Sequence, residues 1–199
     1  MKQIISKKEF DELMKIKGEV RGMSLKIMAS FILREKGKEG LKKIEETITK
    51  LGYPIKYKDI KTMTFYPVGL EAITELALKR IFNFGKEEFK KLGEFAPKSA
   101  IVVRLFMRYL FSMNSLINGI PKMWKIYYTV GSLKVAEFNE EERYIILRLE
   151  NFRLHPAECQ IYLGYFPTVI QMVVGKKVTC KETKCVFEGN DYHEFLLEW

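Results

Sequence analysis

Apolar residues recur at helical spacing through the first two-thirds of the chain and alternate through the last third. Ser6 and Glu9 form a capping-box pair ahead of a short helix that fades by Gly18. Gly18–Met23 reads as extended. Ser24 then caps a helix with Leu25, Met28, Ala29, Ile32 and Leu33 on one face, and Gly37 ends it. A further helix covers about Glu39–Leu51, with Leu41, Ile44 and Ile48 inward, and Gly52 stops it. Tyr53–Lys61 is irregular. Pro67 opens a helix through about Phe84, since proline suits a first turn. Residues 86–130 are rich in helix signals and aromatics. Within them Ser99–Met113 is apolar on nearly every side, which predicts a central buried helix.

The period then changes. Leu133–Phe138 and Arg143–Glu150 read as strands around an Asn139-Glu140 turn. Pro156 starts a helix to about Val173, and Lys177–Lys184 and His193–Trp199 complete a sheet. The pattern predicts an α+β fold. A helical N-terminal part packs on a C-terminal antiparallel sheet of about four strands with one helix inserted. The 199 residues are expected to form a single domain, mostly helical over 1–131 and sheet plus helix over 132–199.

A hydrophobic share of 47% and a charged share of 30% describe a globular chain rather than a disordered one. The formal charge of +9 admits an acidic partner. Yet the lysines alternate with glutamates, as in Lys42-Lys43-Ile44-Glu45-Glu46, which reads as solvated helix faces. Arginine is sparse, so nucleic acid is not an expected partner. No apolar stretch reaches the roughly 20 residues of a membrane span, and the N-terminus lacks the apolar core of a signal peptide. Three cysteines, an odd number, suit a reducing cytoplasm better than a disulfide framework. The abundance of Lys, Glu and Ile with little Gln resembles a thermophile's surface.

The densest chemistry lies at Glu182–Phe195, E-T-K-C-V-F-E-G-N-D-Y-H-E-F. A hairpin with a three- or five-residue loop sets Cys185 opposite His193, with Cβ atoms about 4.5–5.5 Å apart, whereas a two-residue loop would put them on opposite faces. Both could then grip one metal ion. A regular strand turns Cys180 to the other side. The run Glu182, Cys185, Gly189, His193, Phe195, with C-Q-I-Y-L-G from Cys159 upstream, resembles the end of a 4-vinyl-reductase domain. Such domains are similar in fold to haem nitric-oxide-binding domains and to vesicle-transport-particle subunits. Sharp motifs cover about residues 159–199, and the rest matches by layout. The resemblance implies a ligand pocket between helices and sheet, and a metal site at Cys159, Cys185 and position 193. Those domains usually carry Cys where this chain has His193, an equally good zinc ligand. Helical spacing adds His155, four residues before Cys159, with Glu141 and Glu182 as alternative fourth ligands. Four protein ligands would make a closed, structural zinc site. The competing reading is that the cysteines are ordinary buried small hydrophobes.

Tyr66, Phe106, Tyr109, Met123, Trp124 and Tyr127 could line a pocket for a small hydrophobic or aromatic ligand, or could simply be core. Haem is not expected, because both histidines lie late in the chain and the Tyr-x-Ser-x-Arg motif of haem nitric-oxide-binding domains is absent. No nucleophile–base set, phosphate-cradling loop or dinucleotide fingerprint points to an enzyme. The expected function is a cytoplasmic small-molecule sensor or carrier that acts through an unidentified protein partner or as a homodimer paired through its helical half. The alternative is an interaction module like the transport-particle subunits, without a small ligand.

Overall fold

The computed structural model describes residues 5–99 and 113–199. These divide into two compact units. One holds the residues up to Lys86 together with Tyr127–Thr129, and the other runs from Glu87 to Ile126 and from Val130 to Trp199. The predicted central helix at Ser99–Met113, with Phe106 and Tyr109, lies outside the described residues apart from its two ends.

In the first unit, helix α1 (Lys7–Met14) opens on the expected capping box: Ser6 Oγ accepts from Glu9 N, and Glu9 accepts from Ser6 N. Strand β1 (Glu19–Arg21) pairs antiparallel with β2 (Phe65–Pro67). Between them runs α2 (Gly22–Lys50), whose helical geometry breaks at Gly37 with φ 67° and ψ −173°. That conformation is open to glycine and strained for other residues, so the two sequence-predicted helices meet there. Helix α3 (Gly69–Phe82) starts later than predicted. Pro67 is the last residue of β2, because Tyr66 is drawn into the ladder opposite Val20. Leu33, predicted inward, is instead exposed.

The second unit contains all but the first residue of α4 (Lys86–Ser99) and most of α5 (Met113–Tyr127). The sheet comprises β3 (Ser132–Asn139), β4 (Tyr144–Glu150), β5 (Thr179–Lys184) and β6 (Tyr192–Glu198), in the order β3-β4-β6-β5 with antiparallel neighbours. Helix α6 (Ala157–Val174) is inserted between β4 and β5 and packs on β5 and β6. Ile145, Leu147 and Leu149 alternate with half-buried residues on β4, and His193, Phe195 and Leu197 occupy buried positions on β6. This is the predicted α+β architecture. Helices α4 and α6 meet backbone to backbone at two glycines. A Cβ on Gly93 would lie 1.9 Å from Ile161 O, and one on Gly164 would lie 2.1 Å from Lys90 O.

Candidate metal centre

Four side chains with metal-ligating chemistry converge in the second unit. Cys159 comes from the first turn of α6, Glu182 from β5, Cys185 from the position after β5, and His193 from β6. Their ligand atoms all lie within 4.8 Å of one another. Cys159 Sγ is 3.4 Å from Cys185 Sγ and 3.9 Å from His193 Nδ1, and His193 Nδ1 is 2.8 Å from Glu182 Oε1. Both cysteines are 5% exposed and the histidine 1%.

Local structure explains the convergence. Glu182 and Cys185 are an odd number of residues apart and would face opposite ways in a regular strand. A register shift between Glu182 and Lys184 changes that parity. Glu182 pairs with Phe195, and Lys184 with Glu194. One step further in the same register Cys185 falls opposite His193. The chain then turns through a short 3-10 segment, Val186–Glu188, and Gly189 at φ 92°. Asn190 fastens this turn, its N and Nδ2 both donating to Cys185 O, at 3.2 and 3.1 Å. The shift also cancels the parity argument that turned Cys180 away. Two residues before Glu182, Cys180 is half-buried and lies outside the cluster. Burial, with the Glu182 charge second, pushes its thiol up to about 12.

His155 also lies outside the cluster. Helix α6 begins at Ala157, too late to carry His155 on the face of Cys159, and His155 Nδ1 accepts from Ala157 N at 3.2 Å. Glu141 sits exposed in the β3–β4 turn. Glu182 is thus the fourth donor that geometry selects.

The dimensions suit a small cation. At zinc bond lengths of about 2.0–2.3 Å, a tetrahedron has edges of about 3.3–3.8 Å. The distances of 3.4, 3.9 and 2.8 Å bracket that range. Burial drives the Cys159 thiol far above its ordinary range, and the Glu182 charge and the hydrogen bond with Cys185 push the same way. A cluster so placed holds either protons or a cation.

Of the aromatic candidates, Phe106 and Tyr109 lie outside the described residues. Tyr66 and Tyr127 belong to the first unit, and Met123 and Trp124 to the second. Trp124 is buried against Phe152, with ring centroids 5.1 Å apart, and its Nε1 donates to Val130 O. Tyr127 donates to Met23 Sδ, and burial raises its phenol to about 12. Tyr66 accepts from Lys61 N and lines an open groove of about 500 Å³ with Tyr53, Ile55, Ile60 and Leu70. Sequence reasoning missed this groove, because Tyr53–Lys61 carries no period to read.

No protein-family model and no curated protein sequence matches the chain. The 4-vinyl-reductase name therefore gains no support beyond the residues that suggested it. Solved structures do match. An H-NOX protein from S. oneidensis in the Fe(II)NO ligation state aligns with TM-score 0.69 and 15% identity, covering 89% of this chain and 98% of that one. An Fe(II) unliganded H-NOX protein from K. algicida aligns with TM-score 0.63 and 10% identity, over 89% and 95%. A trafficking protein particle complex subunit 3 from Naegleria fowleri, bound covalently to palmitic acid, gives TM-score 0.48 and 16% identity, over 65% and 92%. The expectation that haem is foreign to this chain is corrected here. The H-NOX structures are ferrous ligation states, and on this fold they point to haem. The missing tyrosine motif and the late histidines were tests of sequence, whereas the likeness resides in the fold. At these identities the likeness establishes that the chain has an H-NOX-like fold.

Proposed function

We propose that this chain is a non-catalytic small-molecule sensor domain whose second unit is clamped by a structural zinc ion on Cys159, Glu182, Cys185 and His193. The convergence of three buried donors and the half-buried Glu182, from one helix and the β5–β6 hairpin, carries the clamp. The H-NOX-like fold supports the sensor reading. Four protein ligands leave no open position, so the ion would tie α6 to the β5–β6 hairpin rather than activate a substrate. Elemental analysis after gentle purification should find about one zinc per chain. Metal-free protein of undiminished stability would overturn the clamp.

The fold makes haem the first ligand to test. Of the two histidines His193 sits in the tetrad, so His155, whose Nδ1 accepts from Ala157 N, is the imidazole to test for axial ligation. Haem titration should raise a Soret band, and His155→Ala should weaken it. A small aromatic compound is the other candidate, and the groove beside Tyr66 favours it. Native mass spectrometry distinguishes the two by the mass retained, and no retained mass and no Soret band would reject the sensor reading.

A further inference from the structure

The first unit holds a second candidate site, apart from the tetrad: the open groove of about 500 Å³ that Tyr66 lines. We propose that this groove binds a protonated amine carried on a small aromatic body. The proposal rests on the small-molecule reading above and names the class of compound that the groove takes.

The segment that walls the groove has no regular period, yet specific bonds fix it. Glu45 on α2 accepts from Tyr57 N and Lys56 Nζ, both at 2.9 Å. Tyr57, 1% exposed, shares a hydrogen bond of 2.5 Å with Thr74 on α3. Tyr66 on β2 accepts through its OH from Lys61 N at 2.9 Å. The connection between α2 and β2 is thus fastened at separate points, and such preorganisation lowers the cost of binding. The floor of the groove is apolar, with Ile55, Ile60 and Leu70 all buried. Half-buried Tyr53 and Tyr66 add aromatic surface. A volume of this size suits a small ligand.

Charge selects the class. Glu46, Lys50, Lys56 and Asp59 complete the lining. Both cations are already answered. Lys56 pairs with Glu45. Lys50 lies in the last turn of α2, where the negative end of the helix favours a positive charge. Glu46 and Asp59 are exposed, and among the described residues neither makes an ion pair or a side-chain hydrogen bond. The groove therefore carries an excess of negative charge on a chain whose formal charge is +9. An anion there meets two carboxylates that repel it. A cation meets the same carboxylates and the faces of tyrosine rings, both of which attract it.

The experiment titrates the full chain with three compounds of nearly one shape: phenethylamine, phenethyl alcohol and phenylacetate. At neutral pH they are a cation, a neutral molecule and an anion. Calorimetry at low salt should rank them in that order of affinity. The amine should bind about tenfold tighter than the carboxylate, since exposed charges discriminate modestly. Tyr53→Ala should weaken all three, which places them in the groove. Glu46→Gln and Asp59→Asn should each weaken the amine about threefold and leave the alcohol unchanged. Both positions are exposed, so these two variants keep the fold even where Tyr53→Ala does not. Equal binding of the three compounds, or a tighter carboxylate, overturns the amine and leaves a small-molecule groove in place. Amine binding that neither acid variant alters overturns it as well. Binding by none of the three overturns the proposal and removes the groove from the sensor reading, whose remaining test is then the haem titration.

Discussion

The two units solve the same problem in different ways. Each buries carboxylates. In the first, Glu45 is 8% exposed, yet its oxygens accept from Tyr57 N and Lys56 Nζ, both at 2.9 Å. Glu71, 4% exposed, accepts from Ser24 Oγ at 2.8 Å and from Tyr128 OH at 3.2 Å. These are donors that a folded chain supplies from its own backbone and side chains. In the second unit Glu194 is likewise held by Arg148 and Thr183, but the half-buried Glu182 faces an imidazole and two thiols. Thiols are weak donors, and their useful form is anionic. Both oxygens of Glu45 are met by protein donors alone, whereas the tetrad gains most from a cation. Hydrogen-bonded acids thus mark structure, and an acid gathered with soft anionic ligands marks a site.

The strongest way to break this contrast is to remove one donor from each unit. Cys185→Ala should abolish zinc binding and lower the stability of the metal-loaded protein by on the order of 3–5 kcal/mol. Chelation of the wild type should mimic the variant, and chemical denaturation with and without chelator reads both. Glu45→Gln should cost about 1–3 kcal/mol, because Tyr57 N and Lys56 each lose a charged acceptor, and it should leave metal content unchanged. Equal sensitivity of both variants to chelator would erase the distinction between the units.

A second test concerns how tightly the clamped helix is held. Gly93→Ala puts a methyl against Ile161 O, so α4 and α6 must separate. Overpacking of this kind costs about 1–3 kcal/mol. Thermal unfolding should show the loss, and unchanged stability would mean that the two helices are free to part. A gentler probe is Trp124. Ring contacts link it to Tyr162 at 6.1 Å, Tyr162 to Phe195 at 6.0 Å, and Phe195 to His193 at 6.3 Å. Metal removal should shift Trp124 emission in a Trp199→Phe background. Steady emission would show that the aromatic core is insulated from the tetrad.

Much of the fold was legible because period and punctuation agreed. The alternation in Tyr144–Glu150 gave β4, and Gly37 gave the break in α2. Three donors of the cluster were legible as well. The fourth was not chosen, because a one-residue register shift has no sequence signature, and it alone turns Glu182 inward with Cys185. Glu45 was misread for a related reason. Within Lys42–Glu46 every charge looks solvated, yet the donor that Glu45 accepts from, Tyr57 N, lies on a segment without periodicity. The strand β2 was hidden by Pro67, which signals a helix start and here ends a ladder. The expectation against haem rested on motifs along the chain, whereas the likeness to H-NOX structures lies in the fold and leaves no local motif to read.

The smallest expected effect sits at the start of the first unit, and it tests whether that unit is finished by hydrogen bonds alone. Backbone and side-chain hydrogen bonds from Ser6 hold the Glu9 carboxyl below the usual carboxylate range, with Arg80 helping in a lesser way. A depressed value means that the folded chain favours the charged form. The stabilisation is therefore present above the unfolded value near 4.5 and is lost as pH falls through the lower folded value. Ser6→Ala should cost about 0.5–1 kcal/mol at neutral pH, the lower part of the range for a cap, because the site is exposed. The gap between variant and wild type should narrow below about pH 4, where Glu9 is protonated in both. The Glu9–Arg80 pair at 3.0 Å is solvent-screened, so added salt should change little. Urea denaturation at pH 7 and pH 3 measures the two gaps. A gap that persists undiminished in acid would assign the cap to the Ser6 hydroxyl alone and remove Glu9 from the box.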